Sequence, residues 1–188
     1  MEQHYNFDIF SHQFPIVKRF IYHLIYYREL SNTYRQLDLE SEFWTHTIDA
    51  HVLQATIYWC MVFGSDSQPL HWKKLSESKE IQESFRQGLL NEINLTPEEW
   101  NHYWKSMNDF RNEVAAHHII DFDGILPNLD VAKSVAYYYD DWVRDLVSGS
   151  FSEPSLKTSA NRLKQSVPSL INQLLEQTKI FNQSSYEV

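Results

Sequence analysis

The sequence predicts an all-α fold, a helical bundle of about five to six helices. Only 4 of the 188 residues are glycine, which disfavours folds that depend on many tight turns. Apolar residues recur at helical spacing along most of the chain, and no segment alternates convincingly with the period of a strand. An apolar content of 43% and an aromatic content of 15% indicate a packed globule. We expect residues 1–150 to form the bundle and residues 151–188 to form a helical extension that packs on the same domain.

The first two helices are predicted from apolar stripes and from the residues that begin and end them. The first is predicted over about residues 15–37, with Pro15 in its opening turn. The second is predicted over about residues 42–63, with Ser41 as its N-cap and Gly64 as its stop. Its buried face is expected to carry Trp44, Ile48, Val52, Ala55, Trp59 and Val62.

A turn-rich connection leads to a shorter helix over about residues 78–91. The next helix has a strong start signal, since Thr96 can cap, Pro97 can occupy the first position and Glu99 can complete a capping box. It is predicted to run to about His118.

The last two helices are predicted from Asn128 or Asp130 to about residue 147, and over about residues 155–181. Pro168 is expected to bend or split the final helix. The acidic side chains of the first of these helices could form a carboxylate cluster, but a solvated helix face is favoured; they are Asp140, Asp141 and Asp145.

The strongest functional candidate is the segment 111–118, Arg-Asn-Glu-Val-Ala-Ala-His-His. Arginine supplies a fixed positive charge for a phosphate, and histidine can move protons near neutral pH. Because an α-helix advances about 100° per residue, Arg111 and His118 would share a face within about 20°, whereas His117 would diverge by about 120°. An unwound helix end or a second protomer could still bring His117 to an arginine. The spacing leaves both histidines open.

Residues 110–117, Phe-Arg-Asn-Glu-Val-Ala-Ala-His, resemble the signature of the HEPN superfamily. In that signature an arginine, usually followed by a polar residue, precedes a histidine by four to six intervening residues. Both His117 and His118 fit this window, and the alanine directly before His117 is common in the family. Residues 59–67 together with residues 71–74 are also similar to HEPN-like proteins akin to AbiU-type phage-resistance proteins.

The resemblance implies a metal-independent endoribonuclease of a toxin–antitoxin or phage-defence system. His117 would move protons while an RNA 2'-hydroxyl attacks the neighbouring phosphodiester, leaving a 2',3'-cyclic phosphate and a 5'-hydroxyl. Arg111 would hold the phosphate, Asn112 would orient one of these groups or bond to the RNA, and His118 would be a substrate contact or reserve base. The implied partners are RNA, a second copy whose motif lines a shared cleft, and a nucleotidyltransferase-like antitoxin.

Two other interpretations remain open. One is a non-catalytic HEPN-like interaction module that binds RNA, nucleotide or a partner protein, and the other is an unrelated bundle in which the motif is coincidental. In these cases Arg111 could pair with Asp109, Asp121 or Asp123, and the two histidines could act as cations at a helix C-terminus. A net charge of -9 also argues against a broad basic surface for nucleic acid, although it allows a local site.

No cofactor or metal is expected. The nine histidines include His46 and His51 but form no His-Glu-x-x-His pattern. Cys60 lies in an apolar run, which predicts a buried hydrophobic residue rather than a nucleophile. No signal peptide and no apolar stretch of membrane-spanning length is visible, so we expect a soluble, cytoplasmic protein.

Overall fold

The computed structural model describes residues 5–36, 41–116, 125–147 and 151–184. Within these ranges all regular structure is helical, which confirms the predicted all-α class. The elements are α1 (Phe7–Gln36), α2 (Glu42–Phe63), a short 3-10 turn (Trp72–Leu75), α3 (Lys79–Ile93), α4 (Pro97–Phe110), a π-helical turn (Arg111–Ala116), α5 (Leu129–Val147) and α6 (Leu156–Ser184).

Helix α1 begins well before Pro15, so the prediction that this proline opens the helix is wrong. The side chain of Asn6 accepts a hydrogen bond from the backbone N–H of Ile9 and so caps the true start. An interior proline removes one helical hydrogen bond and strains the preceding turn. Burial of Phe10 and Phe14 offsets this cost, because both rings pack edge-on against Phe151 at centroid distances of 5.1 and 4.6 Å.

Helix α2 has the predicted bounds, and its buried face is close to the predicted one. Ser41 occupies the N-cap position, although its side chain makes no capping hydrogen bond. Gly64 lies at the C-cap, where its N–H donates to the carbonyl of Cys60. Of the six residues expected to face inward, five are buried and Ile48 is half-buried.

Helices α3 and α4 both begin at a residue whose side chain caps the amino-terminal end. Ser78 accepts a hydrogen bond from the N–H of Ile81, and α3 ends at Asn94 in the left-handed conformation. The capping box predicted for α4 is confirmed, with Thr96 and Glu99 each accepting from the other's backbone N–H at 3.2 and 2.8 Å. The predicted continuous α-helix to His118 is wrong beyond Phe110, because residues 111–116 form a π turn; residues 117–118 lie outside the described ranges.

The helices enclose one large core and one smaller cluster. The large core is centred on α1, α2 and α5, and its biggest fully buried side chains are Trp59, Tyr139, Phe20 and Phe85. The smaller cluster joins the end of α1 and the start of α2 to α6, through Leu30, Trp44, Val167, Ile171 and Leu175.

Helix α6 packs along α1 and passes through Pro168 as one element. Of the bend or split predicted at that proline, the split is therefore not observed. Among the helices of the described ranges, none is long and apolar enough to cross a lipid bilayer.

Candidate functional site

Arg111 lies where α4 gives way to the π turn, against the end of α2. Its backbone N–H donates to the carbonyls of Met107 and Asn108. Its half-buried side chain lies close enough to the thiol of Cys60 on α2 for its positive charge to act on the pKa of that thiol. Arg111 thus lies at the junction of two helices. The periodicity of the sequence does not predict this contact with α2.

Cys60 is a neutral partner for this arginine. Its thiol is buried and donates to the carbonyl of Met107 at 3.6 Å. Burial raises the pKa of Cys60 to about 12, even though the nearby positive charge of Arg111 acts in the opposite direction. The prediction that Cys60 is a buried hydrophobic residue is confirmed, and a neutral thiol does not compensate the charge of the arginine.

The charge of Arg111 has no acidic partner within the described part of the chain. No ion pair joins it to a described carboxylate, so the alternative pairing with Asp109 is wrong. Its Nε atom is buried and has no hydrogen-bond partner among the described residues. Asp121 and Asp123, the other proposed partners, lie outside those residues. A partly buried guanidinium in this condition is well suited to receive an anion.

The π turn changes the geometry on which the choice between the two histidines depended. A π turn closes hydrogen bonds from residue i to i+5 and so holds more residues per turn than an α-helix. The rotation of 100° per residue therefore does not apply across residues 111–116, and the preference for His118 loses its basis. Asn112 is exposed next to Arg111. His117 and His118 lie outside the described residues, so their role stays a prediction.

A close approach of α2 and α4 supports the position of Arg111. A Cβ atom on Gly64 would lie 2.4 Å from the carbonyl oxygen of Cys60 and 2.9 Å from Oδ1 of Asn108, so only glycine fits without a shift. Trp104 donates from Nε1 to the carbonyls of Phe63 and Gly64 at 2.9 and 3.0 Å. These contacts lock the last turns of α4 onto the end of α2.

A separate cavity of about 310 Å³ lies between α3, the start of α4 and the 3-10 turn. Its walls include the indoles of Trp72, Trp100 and Trp104, and Lys73 and Arg86 are its basic lining residues. We refer to it as the Trp72 pocket. Arg111 does not line it, so the two features are distinct.

His71 and Asp66 complete one side of the Trp72 pocket. The Nδ1 atom of His71 accepts from the backbone N–H of Lys73 at 3.4 Å, which leaves Nε2 to donate to Asp66 at 3.3 Å. Burial lowers the pKa of His71 to about 4, with the positive charges of neighbouring lysines and Arg86 adding to the effect and Asp66 opposing it. Asp66 also pairs with Lys73, so its carboxylate is held by two donors.

Two other histidines meet across α1 and α2. The Nδ1 atoms of His23 and His51 lie 3.0 Å apart. Burial is the main cause that lowers the pKa of both rings. At this distance one neutral ring donates and the other accepts. No pattern in the sequence predicts this contact, because 28 residues separate the two histidines along the chain. Over the described ranges no group of three or more potential metal ligands occurs.

One of the three aspartates of α5 does not lie on a solvated face. Asp140 is buried, and its two carboxylate oxygens accept from Nε of Arg144 at 2.8 Å and from the N–H of Leu156 at 2.7 Å. The solvated-face prediction is wrong for this residue, because Asp140 binds the first residue of α6. Asp141 and Asp145 are exposed, as predicted.

Comparisons with protein-family models, with curated proteins and with solved structures found no match. The likeness of residues 110–117 to the HEPN signature therefore remains a hypothesis that depends on those residues and on the placement of Arg111.

Proposed function

We propose that this protein is a metal-independent endoribonuclease with Arg111 as its phosphate-binding residue. The observation that carries the proposal is the absence of any acidic partner for Arg111 among the described residues, with Nε buried and unbonded. A cation in such a position gains more from a phosphate than a solvated surface arginine would, because water screens it less. A local site of this kind is compatible with a chain of net charge -9.

The proposed reaction is transesterification within the RNA backbone. The ribose 2'-oxygen forms a bond to the adjacent phosphorus, and the bond from phosphorus to the 5'-oxygen breaks. His117 accepts the proton of the 2'-hydroxyl and returns a proton to the leaving 5'-oxygen. Arg111 stabilises the charge that develops on the phosphoryl oxygens, and Asn112 and His118 contact the substrate.

The wider biological role follows from the resemblance alone. The protein would act in a toxin–antitoxin or phage-defence system, as a homodimer in which two copies of the motif line one cleft. A nucleotidyltransferase-like antitoxin would be its protein partner. Sedimentation of the purified protein tests the dimer directly, since a monomer could not form a shared cleft.

The decisive test is cleavage of RNA by purified protein in excess EDTA. We expect 2',3'-cyclic phosphate and 5'-hydroxyl ends from the wild type, and a loss of rate of about 10²-fold or more in His117→Ala. Arg111→Gln should lose a similar factor, whereas Arg111→Lys should recover part of it because the charge remains. Arg162→Gln, an exposed arginine on α6, is the matched control and should retain the wild-type rate.

Two results would contradict the proposal. Cleavage that persists in Arg111→Gln and His117→Ala would place the active site elsewhere. No cleavage of several RNAs by folded, dimeric wild type would favour the interaction module, and loss of RNA binding in Arg111→Gln would then identify the arginine as a binding residue. His118→Ala, measured beside His117→Ala, distinguishes the working histidine.

A further inference from the structure

The Trp72 pocket has two basic side chains close to one aromatic ring. The guanidinium carbon of Arg86 and the Nζ atom of Lys73 each lie 5.9 Å from the centroid of the Trp72 ring. Cations at this distance interact with the face of an indole. The pocket thus combines positive charge and aromatic surface in a chain that is acidic as a whole.

The aromatic walls of the pocket are held in place by other contacts. Trp104 is anchored through its ring N–H to two backbone carbonyls of the α2 terminus. Trp100 contacts Tyr103 at a centroid distance of 5.9 Å, and Trp72 packs on the fully buried Phe85 at 4.3 Å. Because these indoles are preorganised, a planar ring could enter without the cost of ordering them.

Arg86 is the basic group best placed to bind an incoming anion. Lys73 is already paired with Asp66, which also accepts from His71. Arg86 is half-exposed and its acidic contact, Glu83, is 3.6 Å away, too long for a hydrogen bond. The fork of its guanidinium is therefore free to form two parallel hydrogen bonds to a phosphate or carboxylate.

The size of the pocket also limits its ligand. A cavity of about 310 Å³ lies at the lower end of the ~300–1,000 Å³ typical of small-molecule sites. It suits a single aromatic group with a short anionic substituent rather than a polymer. The two basic side chains outnumber the one acidic side chain in the lining, which disfavours a cation.

We propose that the Trp72 pocket binds a planar aromatic anion, with its ring against the indoles and its phosphate or carboxylate held by Arg86. A nucleoside monophosphate and an aromatic carboxylic acid share this chemistry. The proposal does not depend on ribonuclease activity, since Arg111 is not part of the pocket lining.

Isothermal titration of the purified 188-residue chain with five probes tests this site. The anionic probes are adenosine 5'-monophosphate and indole-3-acetate, the uncharged probes are adenosine and indole, and inorganic phosphate lacks a ring. We expect at least one anionic probe to bind, and its uncharged counterpart and phosphate to bind at least ten times more weakly. Comparing the affinities of the two anionic probes shows whether the pocket prefers a nucleoside monophosphate or an aromatic carboxylate.

Variants then assign the binding to the pocket. Arg86→Gln should weaken the anionic probe about tenfold, which is about 1.4 kcal/mol, and Arg86→Lys should weaken it less. Arg162→Gln is the matched control and should bind like the wild type. Arg111→Gln should also leave this affinity unchanged, which separates the pocket from the proposed RNA site. Circular dichroism checks that each variant is folded.

Three outcomes would overturn the proposal. The first is that neither anionic probe binds at millimolar concentration. An uncharged probe or phosphate alone could bind as tightly as the anionic probe. Lastly, Arg86→Gln could be folded and bind with unchanged affinity.

Discussion

His71 is a histidine whose protonation opposes folding. Its side chain is only 2% exposed, and it contacts Asp66 on one side and the backbone of Lys73 on the other. Burial lowers its pKa to about 4, whereas the same side chain in an unfolded chain titrates near 6.5. Between these values the unfolded state binds a proton that the native state does not bind, so the native state loses stability as the pH falls.

We therefore expect the free energy of unfolding to decrease as the pH falls from about 6.5 to about 4, by on the order of 2–3 kcal/mol from this residue. Below pH 4 both states are protonated and the contribution becomes constant. Urea unfolding at a series of pH values measures this slope. His71→Asn should flatten it, while His102→Asn, at an exposed histidine, should not. An equal slope in wild type and His71→Asn would contradict the assignment.

At the scale of elements, helix ends explain where sequence reasoning succeeds and where it stops. The bounds of α2 and the start of α4 were predictable, because helix caps and stop residues act on backbone groups only a few positions away. These residues are Gly64, Thr96, Pro97 and Glu99. The start of α1 was not predictable, since Pro15 is the more familiar start signal and the Asn6 cap upstream of it was overlooked. The π turn at Arg111 has no local signature in a sequence, so the position of the candidate site followed from the sequence but its geometry did not.

The α4 capping box gives a prediction for this scale. Thr96→Ala removes the oxygen that accepts from the N–H of Glu99 and should lower the free energy of unfolding by about 1 kcal/mol. Urea denaturation at neutral pH measures the difference. Thr45→Ala is the matched control, because Thr45 is exposed in the first turn of α2 and bonds only the Ser41 carbonyl. A Thr96→Ala protein as stable as the control variant would show that the cap contributes little.

At the scale of the whole molecule, one buried glutamine connects three parts of the chain. Gln13 on α1 donates to the carbonyls of Leu70 and His71, at 3.2 and 2.9 Å, and accepts from the hydroxyl of Tyr139 on α5 at 2.9 Å. Gln13 and Tyr139 are both fully buried. A buried polar side chain is tolerated when its donors and acceptor are all bonded, which is the case here.

Tyr139→Phe should break this network with little change in shape. The Oε1 atom of Gln13 would lose its donor inside the core, and we expect a loss of about 1–3 kcal/mol in the free energy of unfolding. Chemical denaturation measures it, with Tyr22→Phe as the control at a half-buried tyrosine of the same core. If the two variants were equally stable, the network would be of little energetic importance.

The buried Asp140 has a further consequence for the order in which the protein folds. Its bonds to Arg144 and to Leu156 span only 4 and 16 residues, and Arg144 also donates to the carbonyls of Glu153 and Pro154. The bond between Gln13 and Tyr139 spans 126 residues. Because closing a short loop costs less entropy than closing a long one, the contacts of Asp140 and Arg144 can form early in the folding reaction. The bond between Gln13 and Tyr139 closes the longest loop of these contacts, so we expect it to form after the contacts around Asp140.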